Sequence, residues 1–386
     1  MGPIPILIAL LLAQGTGSVY SYNLSITLVN GASALDCADQ YSPCYALLNQ
    51  NVFKDCPGQT AIIESVIFNG TSAHWETYYD LDGNPLIRIT GEGAIEPYQN
   101  ATVTINFRIT IDRSTPEIDP ERAGEIFDIP RELRDEYPLA GIWDLSSLED
   151  PDELFEVAES IRAGEENVLL ILQRLIVWFE ENMVYSYNNT TPQTVWETYS
   201  RLSGDCDDQA NLFVMFCRIY GIPAYTAIGP IYIPGQVQSS SDQNLQFHTA
   251  NTGWHGWAMV YVPSLGGGGA WLPVDLTYFG GDYLSNGHIM SESWERHITG
   301  AAFYRNDAAV LIEYINHDHI SEYSQMRDAI IGSDCLWVEC HAMSPVAGPI
   351  GAPDAYAMLV IMLTIAAAVA LSIWAVQRRR KKHPSL

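Results

Sequence analysis

The segment LSGDCDDQANLFVMFCRIYGIP, residues 202–223, decides the fold of this chain. Its small residues predict a turn at Ser203 and Gly204, and the apolar run that follows predicts a buried helix beginning near Cys206. A glycine and a proline near the end of the segment are expected to stop this helix. The pattern therefore places Cys206 at the N-terminus of a central helix.

A cysteine at the start of a buried helix is a candidate nucleophile. Unpaired amide donors and the helix dipole favour its thiolate over its thiol. Three neighbouring carboxylates, Asp205, Asp207 and Asp208, act in the opposite direction, because negative charge disfavours a second anion. A nearby cation would therefore be needed to hold Cys206 as a thiolate.

The candidate cation is His255, which precedes the first strand of a predicted β-hairpin. Residues 257–262 predict one strand, the glycines at 266–269 a flexible turn, and residues 271–275 the returning strand. Folding this hairpin brings Asp275 roughly opposite His255, and directly opposed side chains lie about 5 Å apart at Cβ. A carboxylate in that position can accept the imidazole proton and fix the tautomer of the ring.

Cys206, His255 and Asp275 are therefore the predicted catalytic residues. They have the chemistry of the nucleophile, the base and the orienting group of thiol acyl transfer. Singly, each could be an ordinary structural residue: a buried helix cysteine, a core histidine and a capping aspartate. Their occurrence in this order, within a helix followed by a hairpin, favours the catalytic interpretation.

These residues resemble the transglutaminase-like superfamily, which has a papain-related fold. The matching motifs are Gly204-x-Cys206-x-Asp208, the RIYGIPA segment at 218–224, His255-Gly-Trp, and VDLT at 274–277. The resemblance implies an α+β domain over residues 164–300, in which an N-terminal helix precedes an antiparallel sheet. The polar segment 234–252, just before the histidine, departs from the pattern and predicts a long loop.

Two functions are compatible with this resemblance. The first is a cell-surface thiol enzyme that forms a thioester with a protein or peptide amide and passes the acyl group to water or to an amine. The alternative is a catalytically inactive member that serves as a surface adhesion or assembly module. The three-residue chemistry needs no metal or other cofactor, although some relatives bind calcium.

Composition excludes one class of partner. The net charge is −27 and the pI about 4.4, so nucleic acid is not an expected partner. Lys54 is the only lysine outside the C-terminal tail. This scarcity reflects either genome composition or the avoidance of self-crosslinking by an enzyme that uses lysine as acyl acceptor. The oligomeric state stays open.

Both ends of the chain carry targeting signals. Residues 1–20 resemble a signal peptide, with a short apolar run followed by small residues. Residues 355–376 lack charges and predict a transmembrane helix of about 33 Å. A Pro/Gly linker at 344–354 precedes this helix, and a basic tail at 377–386 follows it. The positive-inside rule predicts a single-pass membrane protein with its N-terminal part outside the cell.

The remaining segments complete the predicted domain organisation. Residues 21–113 alternate apolar and polar side chains and predict a separate β-sandwich domain, whose role would be spacing or partner binding. An acidic connector with short helices is predicted at 114–163, and a C-terminal extension at 301–343.

Cysteines and sequons support an extracellular location. Five cysteines fall into two groups near the ends of the predicted ectodomain and are expected to form disulfides, with one left over. A zinc site is the less favoured alternative, because these cysteines form no Cys-x-x-Cys pair. The two groups are Cys37, Cys44 and Cys56, then Cys335 and Cys340. Candidate glycosylation sequons begin at Asn23, Asn69, Asn100, Asn188 and Asn189.

Overall fold

The computed structural model describes most of the chain between residues 18 and 346. The described ranges are 18–91, 93–114, 118–187, 192–277, 283–285, 288–317 and 319–346. The predicted transmembrane helix at 355–376, the basic tail and most of the predicted signal peptide lie outside these ranges. The last three residues of the predicted signal peptide, 18–20, instead begin the first strand.

Among the described residues, no helix has the length and apolar composition needed to cross a bilayer.

Strands dominate the described residues. In chain order they are β1 (Ser18–Val29), β2 (Leu35–Asp36), β3 (Asn49–Asn51), β4 (Gln59–Phe68), β5 (Thr71–Ser72), β6 (Trp75–Tyr79), β7 (Pro85–Ile89), β8 (Ala94–Ile95), β9 (Asn100–Ile111), β10 (Val184–Tyr185), β11 (Ser203–Gly204), β12 (Ala224–Asp242), β13 (Leu245–Val262), β14 (Ala270–Val274), β15 (Tyr283–Ser285), β16 (His288–Met290), β17 (Ile312–Tyr314) and β18 (Leu336–Pro345).

The helices fall mainly in the middle of the chain. They are α1 (Pro43–Leu48), α2 (Arg131–Glu136), α3 (Pro151–Arg162), α4 (Val168–Asn182), α5 (Val195–Arg201), α6 (Cys206–Ile219), α7 (Arg296–Tyr304) and α8 (His319–Ile331). The predicted central helix is therefore α6, and it begins at Cys206 as expected.

One continuous sheet links the N-terminal part of the chain to the predicted catalytic part. Its strands run in the order β17-β12-β13-β18-β1-β9-β4-β5, and β14 also pairs with β13. β13 is long enough to pair with β14 along its second half and with β18 along its first half. β18 then pairs with β1, so the C-terminal extension joins the two halves of the sheet.

The strands predicted for a β-sandwich at residues 21–113 are divided between the continuous sheet, with β1, β4, β5 and β9, and a three-stranded sheet of β3, β7 and β6, and side chains from both sheets line one core. The predicted alternation is present, since the odd-numbered residues of β9 from Val103 to Ile111 are buried. However, the core beneath these strands also takes Trp337 and Met343 from β18, together with Ala309 and Leu311. The N-terminal strands therefore share their core with the C-terminal extension, a contact that the sequence pattern did not indicate.

The helices pack into a second core on the other part of the sheet. This helical core joins α3, α4, α5 and α6 to the strands β13 and β14. Phe179 of α4 packs against Phe213 and Phe216 of α6, with ring centroids 5.5 and 6.2 Å apart. α6 is buried on nearly all sides, so its N-terminus is held rigidly against the sheet.

The long loop predicted over residues 234–252 is instead a regular extension of the β-hairpin. β12 and β13 pair from Ala224–Val260 down to Asp242–Leu245, with one irregularity between Tyr232 and Val237. The segment is polar because its strands are largely solvent-exposed beyond Ile233, not because it lacks regular structure. Polar strands of this kind do not carry the apolar alternation on which strand prediction depends.

The cysteine predictions are confirmed in part. Cys37 and Cys44 form a disulfide, with a Cα–Cα distance of 4.7 Å. Cys335 and Cys340 do not bond to each other, because β18 extends the five-residue interval to about 17 Å. Cys56 is not in a disulfide either, and its sulfur accepts a hydrogen bond from Arg113 at 3.9 Å.

Candidate active site

The turn before α6 explains the first motif, Gly204-x-Cys206-x-Asp208. The Asp208 carboxylate accepts hydrogen bonds from the Asp205 backbone N–H and from the backbone and side chain of Gln193, at 2.7–3.2 Å. A Cβ on Gly204 would lie 2.6 Å from the Cβ of Asp208. Gly204 therefore lets Asp208 reach back over the turn, and this contact fixes the backbone that presents Cys206.

The end of α6 is anchored by Arg218, the first residue of the second motif. Its buried guanidinium donates hydrogen bonds to the carbonyls of Ala224 (2.8 Å) and Pro138 (2.6 Å), and to that of Ile315. It also lies 4.0 Å from the ring centroid of Trp143. Burial lowers the pKa of Arg218 to about 9, which leaves it a cation at neutral pH.

The structure brings His255 and Asp275 together. The His255 Nε2 lies 2.7 Å from the Asp275 Oδ2, and both residues are buried. The β13–β14 register places Asp275 just beyond β14, diagonal to His255 and not directly opposite it. The other carboxylate oxygen, Oδ1, accepts hydrogen bonds from the Thr277 backbone N–H at 2.9 Å and from the Thr277 hydroxyl at 3.2 Å. The VDLT motif is thus a local device that orients the carboxylate.

The Cys206 sulfur lies beside the peptide that follows His255. The Gly256 backbone N–H donates a hydrogen bond to this sulfur. The approach is close, because a Cβ on Gly256 would lie 3.1 Å from the Cα of Asp207. The thiol itself donates to the Asp207 Oδ1 at 3.8 Å. The start of α6 and the His255 segment of β13 therefore pack directly against each other.

The electrostatics of Cys206 differ from the simplest sequence expectation. Burial, then the charges of Asp207 and Asp205, and also that of Asp275, raise the pKa of the Cys206 thiol well above its ordinary value. The Gly256 hydrogen bond opposes this shift but does not reverse it. Burial and the neighbouring carboxylates thus outweigh the helix N-terminus, and they favour the neutral thiol of Cys206 in the resting protein.

This neutral thiol leads to a prediction for alkylation. The Cys56→Ala variant is the suitable background, because Cys56 and Cys206 are the partly exposed cysteines outside the disulfide among the described residues. In it, the rate of Cys206 modification by iodoacetamide should rise about tenfold per pH unit between pH 7 and 9, since only the thiolate reacts. The Asp207→Asn change should shift this profile to lower pH. A rate that is already at its plateau below pH 8 would instead indicate a preformed thiolate.

Three residues near the site were not predicted from the sequence. His297, on α7, is fully buried and contacts both the Asp275 main chain and the Glu180 carboxylate. Tyr185, on β10, is raised in pKa by burial and by the nearby charges of Cys206 and Asp205. None of these three residues lies in a recognisable sequence motif. His297 reaches the VDLT segment from a different helix, so no local pattern indicated its role.

Comparison with known families agrees with this geometry. Residues 156–276 match the family model of the transglutaminase-like superfamily, a match that begins within α3 and ends one residue after Asp275. This part of the chain is therefore a transglutaminase-like domain. A comparison with curated protein sequences found no match.

Three solved structures align with this chain at low sequence identity. A candidate cysteine protease from Cytophaga hutchinsonii aligns with a TM-score of 0.51 and 14% identity over 87% of this chain and 93% of that one. The periplasmic domain of TgpA from Pseudomonas aeruginosa aligns at 0.29 and 16% over 68% and 90%. A candidate protease from Parabacteroides distasonis aligns at 0.23 and 10% over 66% and 63%. The first similarity extends well beyond the family match, so the mixed sheet is part of a fold seen elsewhere.

Proposed function

We propose that this chain is a thiol enzyme of the transglutaminase-like class, which acts on protein or peptide amides through Cys206, His255 and Asp275. The observation that carries the proposal is the buried 2.7 Å contact of Asp275 with His255, on the strand whose Gly256 N–H bonds to the sulfur of Cys206 at a helix N-terminus. A carboxylate that can fix the ring tautomer and a thiol held by the residue after the histidine are parts that nucleophilic catalysis by cysteine uses.

The geometry supports a general-base mechanism. With Nε2 bound to Asp275, Nδ1 is the His255 nitrogen that would take the thiol proton as the sulfur attacks the amide carbonyl. The Cys206 backbone N–H, at the positive end of α6, would stabilise the developing oxyanion. The proton then passes from His255 to the leaving amine, and the acyl group stays on sulfur as a thioester.

The second half of the reaction reverses these proton transfers. Water or an amine attacks the thioester carbonyl and gives its proton to the same imidazole. The sulfur leaves and takes the proton back, which restores the neutral thiol. Water as acceptor gives hydrolysis, whereas a lysine amine gives a crosslink, and the same three residues serve both outcomes.

One observation favours the alternative, a catalytically inactive adhesion or assembly module. Burial and three carboxylates make the Cys206 thiol hard to ionise. A protein that no longer needed its nucleophile could tolerate this environment. The two proposals differ in a simple way, because only the enzyme must transfer an acyl group through Cys206.

The deciding experiment uses the full chain and a glutamine-containing peptide, with and without a fluorescent amine. We expect the wild type to release ammonia and to hydrolyse or label the peptide, and the Cys206→Ala variant to lose this activity. Cys56→Ala is the matched control, since it removes a second partly exposed thiol without touching the site. Equal turnover by wild type and Cys206→Ala, or none by either, would support the inactive module.

We also propose that residues 355–376 anchor the protein in the cell membrane, with residues 18–346 outside. The support comes from the sequence alone: an uncharged apolar segment followed by five basic residues. The full chain should fractionate with membranes and expose residues 18–346 to added protease on intact cells. A chain ending at Val346 should be found in the soluble or secreted fraction, and membrane association of that shorter chain would contradict the anchor.

A further inference from the structure

Two side chains, the fully buried His297 and the partly buried Glu180, lie against the main chain of Asp275, whose side chain contacts His255. His297 exchanges two hydrogen bonds with the Asp275 main chain. The Asp275 N–H donates to the His297 carbonyl at 3.0 Å, and the His297 Nδ1 lies 2.7 Å from the Asp275 carbonyl oxygen. Asp275, which orients the predicted base His255, is thus held in place by hydrogen bonds to its own backbone.

Glu180 fixes the other side of the same imidazole. Its Oε1 lies 2.7 Å from the His297 Nε2 and also accepts a hydrogen bond from the Ser291 backbone N–H at 3.1 Å. Glu180 belongs to α4, whose apolar face packs on α6 in the helical core. The hydrogen bonds that hold Asp275 are therefore anchored on α4, which packs against α6, the helix that carries Cys206.

Hydrogen-bond chemistry specifies the proton content of this pair. A carbonyl oxygen only accepts, so the His297 Nδ1 must carry a proton. The Nε2–Glu180 contact needs a further proton, on the ring or on the carboxyl group, because two lone pairs would repel each other. The pair therefore holds one proton more than a neutral imidazole beside a carboxylate.

The surroundings exclude a ligand-binding role for the pair. The cavity lined by Phe179, Glu180, Met183, Gln209, Leu276 and His297 has a volume of about 10 Å³. This is the space of about one water molecule, too small for a substrate group or a cofactor. His297 is also fully buried. These polar groups consequently act on the protein itself.

We propose that His297 and Glu180 are positioning residues, which hold the Asp275 backbone so that its carboxylate keeps His255 in the Nε2–H tautomer. This inference rests on the proposed function for its effect on catalysis, but its effect on His255 is independent of turnover. We expect the loss of these side chains to cost about 10–100-fold in activity, the range found for outer groups that orient metal-ligating histidines and carboxylates.

Variants of His297 and Glu180 can distinguish a positioning role of these side chains from a role in packing alone. His297→Leu removes both ring nitrogens, whereas His297→Asn keeps a donor near the Nδ1 position and loses the contact with Glu180. Glu180→Gln keeps a hydrogen-bonding partner for Nε2 and allows a neutral ring. The matched control is His341→Asn, because His341 is another buried histidine 2.7 Å from a glutamate, Glu339, but its other ring nitrogen contacts Tyr22 of the N-terminal core and not Asp275.

The test combines kinetics with nitrogen-15 histidine NMR of the full chain. We expect the kcat of His297→Asn to fall about 10–100-fold with KM changed less than about threefold, and that of Glu180→Gln to stay within about tenfold of wild type. The His255 resonance should show a protonated Nε2 in wild type and Glu180→Gln, and lose this signature in His297→Asn and His297→Leu.

Either of two results would overturn the inference: a His255 resonance unchanged in both His297 variants, or a loss of kcat no larger than in His341→Asn. If the wild type has no amide activity, the proposed function fails. The NMR signature alone then decides whether His297 positions the dyad.

Discussion

Replacing Asp275 by asparagine should lower kcat by about 10³–10⁴-fold while the protein stays folded. The reason lies in the hydrogen bonds of the carboxylate. Oδ1 accepts from the backbone and side chain of Thr277, so an amide oxygen is the group that fits there. The amide NH₂ then faces the His255 Nε2, which must become an acceptor, and the ring proton moves to Nδ1. A ring protonated at Nδ1 cannot take the thiol proton.

The effect should be large because the Cys206 thiol is neutral. An enzyme with a preformed thiolate needs its histidine mainly to protonate the leaving group, but a raised thiol pKa makes the base necessary for the first step. Thr277→Val is the matched control: it removes one donor to Asp275 and keeps the backbone N–H, so kcat should fall less than about tenfold. A small effect of Asp275→Asn in a steady-state peptide assay would contradict the general-base mechanism.

Arg218→Met should destabilise the protein by about 3–5 kcal/mol, the largest effect on stability that we expect from a single substitution outside the site. The methionine fills much of the volume but donates no hydrogen bonds. The carbonyls of Ala224, Pro138 and Ile315 would be left without the guanidinium that now satisfies them. Each lost partner of a buried carbonyl costs about 1–3 kcal/mol. The contact with the Trp143 ring would also be lost.

The change is measured as the urea midpoint of the full chain, with the slope of the transition checked for constancy. Arg131→Met is the control, since Arg131 is an arginine with a side chain 84% exposed and an Asp135 partner at 3.5 Å. Such an exposed ion pair contributes less than about 1 kcal/mol. Arg218→Lys should lie between the two, because a lysine keeps the charge but cannot reach all three carbonyls. Equal midpoints for Arg218→Met and wild type would show that this anchor is dispensable.

The arrangement of the candidate site was largely predictable from the sequence because most of its contacts join residues that are close along the chain. The first motif spans five residues, 204–208, where β11 ends and α6 begins, and the contact of Gly204 with Asp208 is one that so short a motif can specify. Asp275 and Thr277 similarly bond to each other across two residues. The hairpin that joins them to His255 is also local in sequence, and the glycines at 266–269 mark its turn.

The fold around the site was predicted less well because its contacts are distant in sequence. The pairing of β1 with β18 joins Tyr20 to Pro345, and no periodicity within either strand specifies that partner. The strands of residues 21–113 were recognised, but not the sheet to which they belong. His297 was missed for the same reason, since it reaches Asp275 from a separate helix and Glu180 from another.

The direction of the Cys206 pKa shift could not be predicted from the sequence, because opposing effects act on the thiol. The sequence showed both the helix terminus and the three carboxylates, but the outcome depends on how deeply the sulfur is buried. In the structure burial is the largest cause, and it acts in the same direction as Asp207 and Asp205. Opposing effects of similar size are decided by solvent access, which a sequence pattern does not report.

The central claim is that an acyl group passes through the Cys206 sulfur. The most direct measurement is the mass of the Cys206-containing peptide after the full chain is mixed with a glutamine-containing substrate and quenched in acid. We expect an adduct on Cys206 equal to the substrate minus ammonia or minus the amine fragment released from a cleaved peptide bond, which hydroxylamine removes and which Cys206→Ala lacks. Substrate turnover without such an adduct, or an unmodified Cys206 under all conditions, would contradict this claim.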